Sequence, residues 1–441
     1  MQSKMIAPMP TELDKCLGWR DAIYVLPLFL ALFATVFSPH KPLQNVVANT
    51  ILQAEGYRTW MFGGIYLLAA LLVLTRFTTA MRQVARHVPY LLFLVFVVWS
   101  VTWSAHPEKV LITWGHYLGF YLICLSAVVA LEWREWSFYN LFFAYGTIAV
   151  VATLVIVVFF PDRGIVDVGG KLRWLGFTNS PNSLGVMMLV TVWVCMIWIS
   201  ACRAWLVKLL VGLLLLPVFF CIYGSDSMTS AILAVLVVLL VPVLMSICAL
   251  SPSRAAGLFG GFLLLTTVAV LILYVALPEL FVAKSVLGNL TLIGRSATFT
   301  GRTSLWTVAL QAISERPLLG WSFDALYSVG DRFIVRASHF HNGYLELLVT
   351  GGSVGLSLIL TLVGIVVWRI IILQRVLPRL AAAMAVLLML ILLHNLAEAS
   401  LGRTPTLLWL IFTLMYLVLA QKPPTDVTEL PPECTGGSSV K

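Results

Sequence analysis

The sequence predicts an all-α integral membrane protein with about 12 transmembrane helices and a large outer loop that contains short helices. Hydrophobic residues make up 60% of the 441 residues, and charged residues only 11%. A soluble globular protein carries about a quarter charged residues, so the solvent of this chain is lipid. Its spans are expected to be helical, because a helix satisfies its own backbone hydrogen bonds.

The predicted spans are apolar runs close to the roughly 20 residues that cross a bilayer. They cover residues 21–38, 59–75, 88–104, 112–131, 138–160, 184–201, 204–222, 229–250, 257–277, 353–372, 379–397 and 404–420. The first run lacks a small-residue cleavage site and is interpreted as a retained span, not a signal peptide. The seven cysteines are scattered and predict neither a disulfide framework nor a metal site.

The charges of the short loops predict the orientation. With the N-terminus in the cytoplasm, cytoplasmic short loops carry ten Arg and Lys, against four on the other side. The resulting organisation is a cytoplasmic segment 1–20, helices one to nine over 21–277, an outer loop 278–352, helices ten to twelve over 353–420, and a disordered cytoplasmic tail 421–441.

Two outer loops depart from this charge rule. Residues 161–183 and 278–340 together carry seven Arg and two Lys. Long loops can escape the rule, which is one explanation. The alternative is a bound polyanion, and the excess of arginine favours forked recognition of phosphate oxygens.

The larger loop contains a predicted helix over about 303–314, with Arg302 at its positive N-terminal end. An arginine beside a helix N-terminus is a good anion site. The alternative is an arginine that extends toward lipid headgroups.

The end of this loop, "ASHFHNGYLELLVTGG" (337–352), predicts a helix from about residue 341. Asn342 and Glu346 would pair at i, i+4 on it, and the glycines would break or tightly pack the helix. His339 and His341 are candidates for a general base or a hydrogen-bond donor, although a structural histidine is an equally simple interpretation.

Other outer stretches offer polar groups. "KLRWLGFTNSPNSLG" (171–185) contains Arg173 and Asn182, and its amides and hydroxyls suit sugar hydroxyls. Ser227 lies in a stretch that could equally be a helix cap. His394 and Glu398 lie near the outer end of the eleventh span and are candidates to support the site.

Several signatures are absent from the sequence. It has no DxD, no GxSxG, no Walker A or Rossmann glycine motif, and no convincing metal-ligand spacing. We therefore expect no metal, no cofactor and no nucleic-acid partner.

Taken in order, five stretches resemble the bacterial O-antigen ligase/polymerase superfamily. They are "WSVTWSAHPEKVL", "RWLGFTNSPNSLG", "SDSMTSAIL", "TGRTSLW…PLLGW" and "HFHNGYLELLVTGGSVGL". The TGR–W–PLLGW segment followed by His-Asn-x-x-Leu is the specific part. The chain departs from relatives at Asn179, Ser180 and Pro181, where His-Lys is common, and in "VTGG" instead of Glu-x-Gly.

The resemblance implies a GT-C-type glycosyltransferase of the bacterial inner membrane with a periplasmic active site. Its donor would be a glycan on undecaprenyl diphosphate, its acceptor a sugar of the lipid A-core, and its surroundings membrane lipids. The family histidine corresponds to His341 and the family arginines to Arg173 and Arg302, with Arg295 at a further Gly-Arg position.

Together these residues predict an inverting, metal-independent glycosyl transfer. Arg173, Arg302 and Arg295 would hold the diphosphate, with Asn182 and Asn342 binding substrate, and His341 or His339 would act on the acceptor hydroxyl. A polysaccharide polymerase, a protein oligosaccharyltransferase and a transporter of lipid-linked sugars are the alternatives. Against a transporter, the motifs lie in outer loops and not at the bilayer midplane.

Overall fold

The computed structural model describes residues 19–38, 48–131, 135–168, 170–202, 204–247, 257, 261, 302–334 and 339–421. Within these ranges the chain is mostly helical, as predicted. The helices are α1 (Trp19–Ala34), α2 (Ala48–Thr75), α3 (Phe77–Val84), α4 (Val88–Trp99), α5 (Pro107–Leu131), α6 (Glu135–Phe159), α7 (Pro161–Gly164), α8 (Pro181–Ala201), α9 (Trp205–Ser225), α10 (Met228–Ile247), α11 (Arg302–Glu315), α12 (Tyr327–Phe333), α13 (Gly343–Leu373), α14 (Pro378–Ala397) and α15 (Leu407–Ala420).

The described residues contain eight helices that are long and apolar enough to cross a membrane, which makes this a multi-pass membrane protein. The count is nine if α3 and α4, bent by 85°, form one broken span. The predicted count of about 12 is not confirmed. The first and last predicted spans correspond to the short apolar helices α1 and α15, and the predicted ninth span, 257–277, falls almost wholly outside the described residues.

Helices α8 and α14 form the centre of the bundle, because 78% and 83% of the residues in their apolar spans are buried. Helix α8 packs against α6, α9 and α10, and α14 packs against α10 and α13. Helices α2 and α9 lie outside, and α9 exposes a stripe of large apolar side chains at Leu206, Leu209, Leu213, Leu216 and Phe220. A stripe of exposed apolar side chains on the surface of a helical bundle is suited to contact with lipid tails.

A small antiparallel hairpin joins α7 to the loop before α8. Its strands are β1 (Ile165–Val168) and β2 (Lys171–Trp174), and Val166 pairs with Arg173. The turn is closed by Asp167, whose Oδ1 accepts from the amide of Gly170 at 2.8 Å. Trp174 then packs against Phe220 and so closely against Gly224 that a side chain at position 224 would collide with its ring. The hairpin is therefore fixed on the end of α9.

Helix α13 is broken at Gly352, as the run of small residues predicts. The φ of Gly352 is 61° and its ψ is −162°, a conformation that is essentially confined to glycine. The helix begins at Gly343, where Asn342 caps it, close to the predicted start at about residue 341, and it continues without a separate start into the predicted tenth span at 353. The predicted boundary between outer loop and helix at 352 therefore falls on an internal break.

The segment 317–322 fills this break. The amides of Trp321 and Ser322 donate to the carbonyls of Val349 and Thr350, at 2.8 and 2.9 Å. In return, the amides of Ser353 and Val354 donate to the carbonyls of Pro317 and Leu318, at 2.8 and 3.1 Å. Four backbone groups that the break would leave unpaired are thus satisfied. Two of them belong to the buried residues Val349 and Thr350, where an unpaired group would cost about 1–3 kcal/mol.

A polar cluster then binds the next stretch to the loop between α4 and α5. Asp324, fully buried, accepts from Ser104 Oγ at 3.0 Å and from the amide and hydroxyl of Ser328. At the rim, His106 Nε2 lies 2.6 Å from Asp331 Oδ2. The hydrogen bond to Asp331 raises the pKa of His106, and the charges of Asp331, Asp324 and Glu108 act in the same direction. The contact between His106 and Asp331 therefore holds α12 more strongly when the histidine is protonated.

We expect Gly352→Ala to lower the stability of the protein by roughly 1–3 kcal/mol, because a Cβ there meets both an unfavourable φ and the carbonyl of Leu318. The measurement is thermal unfolding in detergent. Gly364→Ala in the same helix is the matched control, since a Cβ at position 364 meets nothing within 4 Å. Equal melting temperatures for the two variants would contradict the account of the break.

We expect the docking of α12 to weaken as pH rises above the ordinary histidine value of about 6.5. The folded pKa of His106 is raised, so its contribution is complete below the ordinary value and is lost as pH rises through the folded value. Hydrogen–deuterium exchange of residues 327–333, corrected for intrinsic rates, measures this. Asp331→Asn should remove most of the pH dependence, and an unchanged pH profile in that variant would disprove the role of the pair.

Candidate active site

The two histidines lie in a short loop held in place by the residue between them. Phe340 is 1% exposed, its carbonyl accepts from Trp306 Nε1 at 2.7 Å, and its amide donates to Glu346 Oε2 at 3.1 Å. Helix α11, which matches the predicted 303–314 closely, supplies Trp306. Because Phe340 points into the core, His339 and His341 are half-buried on the other side of the loop.

The backbone of His341 is in the left-handed region, with a φ of 53°. That conformation is uncommon for a residue with a side chain and is typical of sites where the surroundings fix a group for function. Its amide donates to His339 Nδ1 at 3.2 Å, and the two ring centroids are 3.9 Å apart. Its own Nδ1 lies 2.9 Å from Glu398 Oε2.

Glu398 reaches His341 because the chain turns sharply at the end of α14. The Oδ1 of Asn395, a fully buried residue, accepts from the amides of Ser400 and Leu401 at 3.0 and 2.8 Å. Gly343, at the start of α13, lies so close to the Asn395 side chain that no Cβ would fit. This contact brings the N-terminus of α13 and the C-terminus of α14 together, and with them His341 and Glu398.

The other oxygen of Glu398 binds the start of α8. Asn182 Nδ2 donates to Glu398 Oε1 at 2.9 Å, and Asn182 Oδ1 accepts from Arg173 Nη2 at 3.0 Å. A continuous chain thus connects His341, Glu398, Asn182 and Arg173. These four predicted site residues are as much as 225 positions apart in sequence but adjacent in space.

Arg173 is largely occupied by the protein itself. Besides Asn182, it donates from Nε to the carbonyl of Ser225 at 2.9 Å and from Nη2 to the carbonyl of Asp226 at 3.2 Å. The Asp226 carboxylate lies 4.0 Å from Nε. The arginine lines the cavity described below, but its donors mainly hold the hairpin against the α9–α10 junction.

The second buried carboxylate, that of Glu346, pairs with Arg403 and not with Asn342 as the sequence predicted. Glu346 Oε1 lies 3.2 Å from Arg403 Nε, and the Glu346 side chain is 10% exposed. Asn342 does not pair with it through its side chain. Its Oδ1 caps α13 by accepting from the amides of Tyr344 and Leu345, and the residue is 3% exposed. This capping accounts for Asn342 without a substrate.

These groups surround a cavity of about 560 Å³. Small-molecule sites typically measure roughly 300–1,000 Å³. Its lining includes Arg58, Arg173, Asn182, His339, His341 and Arg403. His394 and Glu398 also line it, and His394 Nδ1 lies 2.9 Å from Ser400 Oγ.

Three helix N-termini converge on this cavity. Residues 179–183 at the start of α8 and 404–408 at the start of α15 line it directly, and His341 precedes the cap of α13. Each start is capped by a side chain, Ser180, Thr406 and Asn342 respectively. Helix N-termini carry partial positive charge, so their field in the cavity favours an anion.

Sequence reasoning missed Arg58 and Arg403. Both were counted only as loop charges on the outer side, yet both line the cavity. A signal was present, since an arginine at the end of an apolar run is a functional candidate in membrane proteins.

Three predicted site residues lie elsewhere or are not described. Ser227 packs against Gly185 and donates to Ser230 Oγ at 3.1 Å, so it joins α10 to α8. Arg295 lies outside the described residues. Arg302 begins α11, as predicted, but its side chain is outside the described part.

The histidine cluster also has the spacing of a metal site. His339, His341 and Glu398 each offer one ligand atom, and these three atoms lie within 4.8 Å of one another. They form the one such group in the described part of the chain. The expectation of no metal therefore stays a prediction, and it needs a direct test.

Two comparisons with known protein sequences indicate which proteins this chain is similar to. The sequence model of the O-antigen ligase family matches residues 213–360. The exopolysaccharide production protein ExoQ of Rhizobium meliloti (strain 1021) is 26% identical over 370 residues, which cover 78% of this chain and 75% of that protein. The chain is therefore similar to the O-antigen ligase family over its central part and to an exopolysaccharide production protein over most of its length.

These similarities agree with the resemblance that the sequence motifs indicate, and they support glycosyl transfer in polysaccharide synthesis. The superfamily is one of integral membrane proteins that act on lipid-linked polysaccharides. The family match ends at residue 360 and so includes the histidine loop and the break of α13, but not Glu398 or Arg403.

Proposed function

We propose that this protein transfers O-antigen polysaccharide from undecaprenyl diphosphate to a sugar of the lipid A-core. The observation that carries the proposal is the His341–Glu398 pair, 2.9 Å apart, in the wall of a cavity to which three helix N-termini point. It is a proton acceptor beside an anion-favouring space, the two elements that a glycosyl transfer to a hydroxyl requires.

In this mechanism the acceptor hydroxyl oxygen bonds to the anomeric carbon of the donor sugar. The bond from that carbon to the diphosphate oxygen breaks, and the diphosphate leaves with the bonding electrons. The hydroxyl proton passes to His341. With Glu398 ionised, Nδ1–H of His341 donates to it, and Nε2 keeps the lone pair that accepts the proton. Attack opposite the leaving group inverts the anomeric centre.

The arginines supply the counter-charge in place of a metal ion. Arg302 at the start of α11 and Arg295 in the same loop remain the proposed contacts of the diphosphate, with Arg173 bracing Asn182 and Glu398 behind the reacting groups. His339, whose ring meets that of His341 edge to face, is the alternative base. The whole site would be of the GT-C type and face the periplasm from the bacterial inner membrane, with both termini in the cytoplasm.

A related polysaccharide polymerase is the second candidate, and the similarity to an exopolysaccharide production protein favours it. The site would be the same, but the acceptor would be a second lipid-linked glycan. A protein oligosaccharyltransferase would differ in the same way. A transporter of lipid-linked sugars would need no proton acceptor, and the His341–Glu398 pair argues against that alternative.

Purified protein in detergent, given the lipid-diphosphate glycan and lipid A-core, should form glycosylated lipid A-core. His341→Ala should reduce turnover by about 10²–10⁴-fold, because the proton acceptor is lost. Glu398→Gln should cause a smaller loss, since the histidine is still held but its cation is less stabilised. Glu315→Gln is the matched control, because that carboxylate pairs with Arg332 outside the cavity.

The products separate the alternatives. Longer chains that remain on the lipid diphosphate would identify a polymerase, and glycosylated protein an oligosaccharyltransferase. No covalent product with any acceptor would disprove the enzyme and leave the transporter.

We further expect undiminished turnover in EDTA, because arginines and helix N-termini stabilise the leaving group. The assay is repeated after dialysis against chelator, with metal content measured before and after. The His339–His341–Glu398 cluster makes this a demanding test. Loss of turnover that Mg²⁺ or Zn²⁺ restores would refute metal independence.

A further inference from the structure

The wall of the cavity carries a guanidinium whose charge no described residue neutralises. Arg58, near the start of the apolar part of α2, is half-buried and makes one hydrogen bond among the described residues, from Nη2 to the carbonyl of Thr35 at 3.4 Å. Its Nε is buried without a partner. Leaving a charged donor buried and unpaired is costly, which calls for a partner that the described residues do not supply.

A second arginine, Arg403, adds to the positive charge around Arg58. Arg58 and Arg403 both line the cavity, and their like charges act on each other. Arg403 is offset by Glu346 at 3.2 Å, whereas no carboxylate is paired with Arg58 in the described residues. Two guanidinium groups directed to one space bind a group with several acceptor oxygens, as a phosphate has.

The charges that line this cavity favour an anion. The carboxylate of Glu398 is already bound by His341 and Asn182. Arg58 and Arg403 line the same cavity as the capped N-terminus of α15, where Thr406 accepts from the amide of Trp409. Two guanidinium groups and the positive end of a helix attract an anion more strongly than a carboxylate with its own partners repels it.

We propose that Arg58, together with Arg403, forms the phosphate-binding subsite of the cavity and holds the diphosphate of the lipid-linked donor. This assignment rests on the proposed transfer reaction, and it adds a residue from α2, a helix outside every motif that identified the family. Arg173 cannot take this role alone, because the carbonyls of Ser225 and Asp226 and the amide of Asn182 already use its Nε and Nη2.

The experiment measures inhibition by inorganic pyrophosphate and the KM of each substrate, in wild-type protein, Arg58→Gln and Arg58→Lys. Arg58→Gln should raise the pyrophosphate inhibition constant and the donor KM by roughly 10- to 100-fold, because a hydrogen bond to a charged group is lost. Arg58→Lys should restore part of the affinity, since it keeps the charge but not the fork. The acceptor KM should not change. Arg163→Gln, an exposed arginine outside the cavity on the turn before β1, is the matched control and should behave as wild type.

Thermal unfolding with and without pyrophosphate gives a readout that needs no turnover. Wild-type protein should be stabilised and Arg58→Gln should not. If wild type is stabilised but forms no product, the proposed function fails and the anion subsite stands. If wild type forms product while Arg58→Gln keeps the wild-type inhibition constant, or changes only the acceptor KM, the subsite is overturned. Absence of any stabilisation of wild type by pyrophosphate would also overturn it, whether or not the variants fold.

Discussion

The exchange of four backbone hydrogen bonds across the break of α13 determines the rest of the site. An apolar interior does not tolerate unpaired amides and carbonyls, so a helix can be interrupted there only if another segment takes over its bonds. Segment 317–322 does this, and Gly320 and Gly352 permit the close approach, with φ of 66° and 61°. The first turns of α13 are thereby freed from the axis of the long apolar section and can meet the end of α14.

The positions of α11, α12 and the histidine loop follow from that junction. Helix α11 precedes the inserted segment and helix α12 follows it, so their positions are set from both ends. Trp306 of α11 holds the histidine loop through the carbonyl of Phe340, and Asp324 holds the start of α12 to Ser104. The motif TGR–W–PLLGW is therefore understood as a structural unit. Its proline-to-tryptophan part fills the break, and its first tryptophan positions the histidines.

The sequence predicted the helical membrane fold, the extent of α11, the break at the glycines and three residues that join His341 in one hydrogen-bonded chain, Glu398, Asn182 and Arg173. These features follow from local patterns, namely apolar length, helix periodicity and glycine conformation. The sequence could not predict that α15 is short, because span counting measures hydropathy and not where a helix is capped. It could not pair Glu346 with Arg403 either, since 57 residues separate them and only the packing of α13 against the turn after α14 brings them together.

The same distinction explains the different outcomes for the arginines. Arg173 was selected by a motif, and the structure shows why a motif would retain it, because its contacts fix the hairpin, Asn182 and the α9–α10 junction at once. Arg58 belongs to no motif, but its burial without a counter-charge is the feature that requires a ligand. A residue that braces a site satisfies its hydrogen bonds within the protein. A residue that binds substrate keeps some of them unsatisfied until the substrate arrives. By that criterion Arg58, and not Arg173, is the arginine of this cavity that fits a contact with the proposed diphosphate.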